Sequence, residues 1–244
     1  MDPLLNKYYR SLTNAYGVRF VSSHGDEGVI DPQLEANLPL SDMLNLRYFL
    51  GDGGTRATAF PSLRKIATLD LDVYESTKVW SRAFFSDRLI AYDAEQDFVR
   101  LLKSGPGSPF AAVAKDDLDS QPELRSLASK PGETVGTVIV PATHYTLTSN
   151  TTSFKVTAPG PGVVVLTEPY VEGDFELTVN GKASSYFRVN SAFRGVLLAG
   201  PGEYEFSFRY WPRYFTFSLW LCGFGITLLL LWLGSAFKYS QREA

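Results

Sequence analysis

The chain has 244 residues and a formal net charge of −3, with 23 Lys and Arg against 26 Asp and Glu. No basic tract interrupts this balance, and neutralising a phosphate backbone takes clustered cations, so composition argues against nucleic acid as a partner. A single cysteine, Cys222, excludes an intrachain disulfide and a cysteine-based zinc site.

In chain order, Asp2-Pro3 ahead of LLNKYYRSLTNAYG predicts a helix. Asp2 would be the N-cap and Pro3 the first helical residue, with Leu4, Leu5, Tyr8, Tyr9 and Leu12 on one face and Gly17 at the stop. VRFVSS reads as a short strand and residues 24 to 38 as polar and turn-rich. A second helix should start near Pro39, with Leu40, Met43, Leu44 and Leu46 apolar. RYFLGDGG follows as strand and turn, and RKIATLD, LDVYES and SRAFFSDRLIAY as strands. Asp93 should cap a helix over AEQDFVRLLKS that ends at Gly105. Mixed helices and strands make residues 1–125 a small α+β domain. Within and just after it, residues 104–109 and 119–134 have the composition of loops and linkers.

The pattern then changes. TVGTVIVPA, HYTLTS, TSFKVTA, GVVVLTE, DFELTVN, KASSYFRV, FRGVLLA and EYEFSFRYW recur as strands between PGPG, NG and GPG turns, predicting an antiparallel β-sandwich over 126–212. Asn180-Gly181 calls for a type I′ hairpin, in which both central residues take positive φ. In the last strand Tyr204, Phe206, Phe208 and Tyr210 share one face and Glu205, Ser207 and Arg209 the other.

Residues 215–237 carry no charge and lie between Arg213 and Lys238. As a helix this stretch would be about 34 Å long, slightly more than the ~30 Å hydrocarbon core of a bilayer. Its Leu, Ile and Phe side chains contribute about −4 to −7 kcal/mol to insertion before the small residues subtract. The reading is a transmembrane helix over 213–238 with a short tail at 239–244. Tyr210, Trp211 and Tyr214 on one side and Trp232 and Tyr239 on the other would sit at headgroup level. Ser218, Cys222 and Gly225 fall at i, i+4 and i+7, a small-residue stripe suited to helix packing. Arg209 and Arg213 on one flank balance Lys238 and Arg242 on the other, so flanking charge sets no orientation.

No catalytic constellation is legible, and no metal or cofactor site is expected. His24 and His144 are far apart and outside any motif; Asp70 and Asp72 share a face that alternation makes the solvated one. Asp116, Asp117 and Asp119 form a charge run without the glycine and terminal glutamate of a calcium loop. GDGG at 51–54 lacks the Lys-Ser/Thr of a phosphate loop.

Three stretches carry a family resemblance: LPLSDMLNLRYFLGD, VYESTKVWSRAFFSDRLI, and most specifically VVVLTEPYVEGDFELTVNGKASSYFRVNSAFRGVLLAGPGEYEFSFRYWP. Together they resemble the C-terminal region of the bacterial YfhO-type membrane proteins, polytopic relatives of the GT-C glycosyltransferases that use lipid-linked sugars. The chain departs from that pattern where the family's Gly-Trp is Gly173-Asp174 and its Pro-Arg-Ala is Ser81-Arg82-Ala83. The resemblance implies soluble domains outside the bacterial cytoplasmic membrane, on the periplasmic side, without the catalytic polytopic part.

Residues 1–30 hold no apolar run behind basic residues, so no secretory signal is expected, and taken alone this layout is that of a tail-anchored protein facing the cytoplasm. Weighing both, the expected function is a non-catalytic, single-pass accessory subunit whose partners are other membrane subunits and the lipid bilayer. A C-terminal piece of a lipid-linked-sugar glycosyltransferase and an envelope carbohydrate-binding module are the alternatives.

Overall fold

The computed structural model describes residues 6–17, 34–51, 61–104, 107–129 and 138–240. The expected strand at 18–23, His24, residues 52–54, Gly105 and residues 241–244 lie outside the described residues.

The fold is α+β, with a C-terminal apolar helix. Helix α1 (Lys7–Tyr16) is capped by Asn6, whose Oδ1 accepts from the Tyr8 N–H at 2.9 Å; the expected cap Asp2, with Pro3, Leu4 and Leu5, lies outside the described residues. Gly17 ends it at φ 84°, where its N–H reaches the carbonyls of Thr13 and Asn14. Helix α2 (Leu34–Met43) starts earlier than expected and runs through Pro39. The lost N–H is offset because Leu38, Leu40 and Met43 are all buried.

Strands β1 (Tyr48–Gly51), β2 (Leu63–Thr68) and β3 (Asp72–Ser76) form a small antiparallel sheet in the order β1-β3-β2. Asp42 in α2 joins it by accepting from Ser76 Oγ at 2.5 Å, and Asn45 donates to the Trp80 carbonyl. Next come β4 (Ala83–Ser86), β5 (Leu89–Tyr92), α3 (Glu95–Ser104), β6 (Ala112–Ala114), α4 (Lys115–Ser120) and β7 (Ala128–Ser129). At the start of α3 it is the Asp97 carboxylate that accepts from the Ala94 N–H, while Asp93 pairs with Lys115. The stretch 119–134, read as linker, holds a 3-10 turn (Pro122–Ser126) with Leu124 buried, and β7 lies parallel to β5 in the sheet β6-β5-β7.

The sandwich strands are β8 (Ile139–Pro141), β9 (Thr143–Leu147), β10 (Thr151–Ala158), β11 (Gly162–Pro169), β12 (Phe175–Val179), β13 (Lys182–Ser184), β14 (Phe187–Val189), β15 (Phe193–Leu198) and β16 (Gly202–Tyr210). One five-stranded sheet runs β13-β12-β16-β10-β9 and the other β14-β15-β11-β4-β8. KASSYFRV, read as one strand, is therefore two, one in each sheet. Asn180 and Gly181 take φ 51° and 75°, as a I′ turn between β12 and β13 requires.

Between the sheets, Phe154 stacks on Phe206 at 4.9 Å, and Phe85, Val164, Leu166, Val196 and Phe208 complete that core. The outer face of the second sheet is buried as well. There Phe84, Val163, Val165 and Phe193 pack against Leu12 of α1 and Phe98 and Leu102 of α3. Residues on either side of 125 thus share one core, and β4 is an internal strand of the second sheet.

This double burial leaves no slack at Gly162, where an added Cβ would stand 2.4 Å from the Phe85 ring and 2.5 Å from the Ser86 carbonyl. Gly162→Ala is expected to cost about 1–3 kcal/mol or more through overpacking. Gly181 has open space around it, so Gly181→Val should cost about 1 kcal/mol through its positive φ alone. Denaturant titration of both variants checks the ranking. Burial raises the pKa of Asp42, against the opposing Ser76 hydrogen bond and the Lys78 charge. A carboxyl with a raised folded-state pKa favours folding at low pH and loses that contribution as pH rises through the folded value. Asp42→Asn keeps the acceptor without the charge, so it should be at least as stable as the parent at pH 7, the difference closing below about pH 4; denaturation midpoints across pH measure it.

Candidate functional site

Helix α5 (Phe215–Ser240) contains Phe215–Gly234, 20 residues long and apolar enough to cross a membrane, and none of that stretch is buried against the rest of the chain. Trp220 is 77% exposed and Leu231 65%, an arrangement that water penalises and a hydrocarbon environment does not. Ser218, Cys222 and Gly225 lie on this uncovered helix; the Ser218 hydroxyl donates to the Tyr214 carbonyl of its own helix, and a Cβ added at Gly225 would point into open space. Trp232 is likewise exposed, while the Tyr239 side chain lies outside the described residues.

What positions the helix is the four-residue link from β16. Asp174, in the loop between β11 and β12, accepts from the Trp211 N–H through its carbonyl (2.8 Å) and from the Arg213 N–H through Oδ1 (3.2 Å). In the turn between β9 and β10 the Asn150 carbonyl accepts from the Tyr210 N–H at 2.7 Å. Trp211 packs edge-on to Phe215 at 4.8 Å, donates from Nε1 to Thr216 Oγ1 at 2.9 Å and lies 4.2 Å beneath the Arg209 guanidinium. Tyr210 tilts against Phe175 at 5.3 Å, and Tyr214 stands 69% exposed beside Arg213. Of the expected interface residues, Tyr210, Trp211 and Tyr214 therefore converge on one junction. The roles of Asp174 and Asn150 were missed, because both act on backbone N–H groups at the junction and leave no pattern in the sequence.

Just inside the same end of the sandwich lies a buried ion pair. Arg194 donates from Nη2 to Glu168 Oε2 at 3.1 Å and from Nε to the Pro169 carbonyl, its plane 3.6 Å from the Phe175 ring centre. Glu168 also accepts from Tyr145 Oη at 2.6 Å and from Thr152 Oγ1. Burial lowers the pKa of Arg194 and Glu168 pulls it back up, while burial and then Glu168 push Tyr145 upward. Apart from Arg194 Nη1, which is buried without a hydrogen-bond partner, these side chains hold one another, which suits fixing the sheet end rather than attacking a substrate.

The remaining candidates are scattered. Asp70 is exposed in the β2–β3 turn, but Asp72 is buried, correcting its placement on a solvated face. Lys65 pairs with Asp72 at 2.6 Å and Thr68 and Tyr74 donate to it, and the lysine contact holds its carboxyl below the usual range. Asp117 is engaged by Arg188 at 2.8 Å and Asp119 by Arg125, so this run is partly tied into the fold. His144 is exposed at φ 53° on the edge strand β9. Among the described residues no group of three His, Cys, Asp or Glu is placed to hold a metal. Neither a family model, nor a curated protein, nor a solved structure matches the chain.

Asp174→Ala removes the side-chain tie to the link and leaves its carbonyl in place. The expected result is a broader distribution of sandwich-to-helix distances, read by paired spin labels, with global stability changed by no more than about 1 kcal/mol. An unchanged distribution would mean that Trp211 packing alone sets the angle.

Proposed function

We propose that this chain is a non-catalytic, single-pass membrane-anchored module of the bacterial cytoplasmic membrane, with its folded domains on the extracytoplasmic side, acting as an accessory subunit of a larger membrane assembly. The observation that carries the reading is the wholly uncovered apolar helix joined to the sandwich by a fastened four-residue link. A helix so exposed needs lipid or other helices around it. Its small-residue stripe at Ser218, Cys222 and Gly225 offers close approach to a neighbouring helix, and the rigid junction would present the sandwich to the same neighbour at a fixed height. The extracytoplasmic side is supported by the YfhO-type resemblance of residues 163–212. That resemblance also favours a second reading, in which the chain is the C-terminal extracytoplasmic part of a lipid-linked-sugar glycosyltransferase whose catalysis lies elsewhere.

Sidedness is tested with Cys222→Ser combined with Ser185→Cys, since Ser185 is exposed in the sandwich. Impermeant thiol reagent should label intact cells; labelling only after lysis reverses the topology. Assembly is tested with Gly225→Leu, which blocks close approach and keeps the helix apolar. The variant should remain in the membrane yet leave the high-mass fraction in gradient sedimentation of detergent extracts, whereas full co-migration would move the docking surface to the soluble domains.

A further inference from the structure

A cleft of about 470 Å³ opens between α2, the end of α3 and the segments 61–62, 78–80 and 107–110. Its volume is within the range of small-molecule sites, about 300–1,000 Å³. Trp80 and Phe110, edge to face at 5.2 Å, and Leu102 make an apolar wall. Lys78, Lys103 and Ser108 also line the cleft.

Both cations are positioned by contacts that leave their charge in place. Lys103 Nζ sits 4.3 Å from the centre of the Tyr16 ring. Lys78 lies along the 107–110 segment, its Nζ 3.6 Å from where a Cβ on Gly107 would stand. Neither is in an ion pair among the described residues. Among the described residues the one carboxylate lining the cleft is Asp42, which is buried, accepts from Ser76 Oγ and feels the Lys78 charge, so two cations meet one partly spent anion. A neutral sugar would want acceptors as well as donors on the walls; this cleft offers mainly donors and positive charge.

We infer that the cleft binds a small organic anion, a phosphate monoester or carboxylate carried on an apolar body, with the body against Trp80 and Phe110 and the anionic head between Lys78 and Lys103. The inference is independent of the membrane reading above, because every group it uses lies in the soluble part of the chain. The anionic head could be that of a free metabolite or of a lipid, and the chemistry of recognition is the same for both.

The test is titration of the full chain in neutral-detergent micelles with phenyl phosphate, followed by ligand-observed NMR, with phenyl β-glucoside as the neutral counterpart. Saturable binding of phenyl phosphate is expected, weakened about fivefold by Lys78→Gln and by Lys103→Gln, weakened by added salt, and not competed by the glucoside. Both lysines are exposed, so neither substitution should disturb the fold, and an unchanged melting temperature verifies that. Repeating the titration in nanodiscs separates the sources: displacement of phenyl phosphate on adding phosphatidylglycerol to phosphatidylcholine assigns the site to a lipid headgroup, and retention assigns it to a soluble anion. No saturation up to the order of 10 mM, equal binding of the glucoside, or indifference to both lysine substitutions would each overturn the proposal.

Discussion

The second sheet of the sandwich is buried on both faces, and the rest of the molecule depends on that constraint. Strands β11 and β4 place Val164 and Phe85 in the core between the sheets and Val163, Val165 and Phe84 in the core beneath the helices. A strand with no solvated face reads as an uninterrupted apolar run, which is why the sequence there is GVVVL and AFF instead of an alternation. The helical layer is consequently half of the sheet's cover: strip α1 and α3 away and Phe84, Val163, Val165 and Phe193 face water. At about 1.5–3 kcal/mol for each large side chain, that exposure rivals the whole stability of a domain.

Two polar hubs register the layers that apolar contact alone would leave free to slide. Asn190, buried at φ 48° in the β14–β15 turn, accepts from the Ala112 N–H and donates to the Phe110 carbonyl, clamping β6 to the sheet. Arg188 reaches from β14 to Asp117 of α4 at 2.8 Å and to Glu95 of α3 at 3.7 Å, with its guanidinium 4.5 Å from the Tyr8 ring of α1. The partly buried charges around Arg188 add little net stability, because desolvation offsets much of the Coulomb gain. What they do is penalise every other arrangement, since any slip of the helices would strand an unpaired charge. Arg194 and Glu168 do the same at the opposite interface, where the two sheets meet near the membrane junction.

Much of this was legible in the sequence, and the reason differs by element. Alternation and turn chemistry exposed the antiparallel strands from Thr151 to Tyr210 and the Asn180-Gly181 hairpin, because both are local properties of the chain. The apolar helix and its aromatic flank were legible for the same reason. Membership of a sheet is not local: β4 pairs with β11 about eighty residues away, and β7 joins β5 in parallel after an intervening α/β segment. With the sheet's second cover unseen, a boundary near 125 looked natural from the change in pattern. Asp72 was misplaced because alternation assigns residues to two faces and cannot say which one α2 covers. At the junction Tyr210, Trp211 and Tyr214 announced themselves by type, whereas Asp174 and Asn150 act on backbone N–H groups, a role that leaves no periodicity.

The junction is where fold and proposed role connect. A flexible tether between the sandwich and the helix would let the domain sample a wide cone above the bilayer, and a partner engaging both parts would have to suppress that freedom on binding. Here the ordering is done within the chain: Asp174 and Asn150 hold the link, Trp211 bridges link and helix through Phe215 and Thr216, and the Arg194–Glu168 pair stiffens the sheet end behind them. Helix packing in lipid is individually weak, because Leu against Leu gains little over Leu against a lipid tail. A weak helix contact becomes sufficient when a second contact, fixed at known height and angle, shares the same rigid body, since the second then forms at high effective concentration. On the reading proposed above, the value of Asp174 lies there: its two bonds to the link give a fixed geometry between the two halves of a composite docking surface.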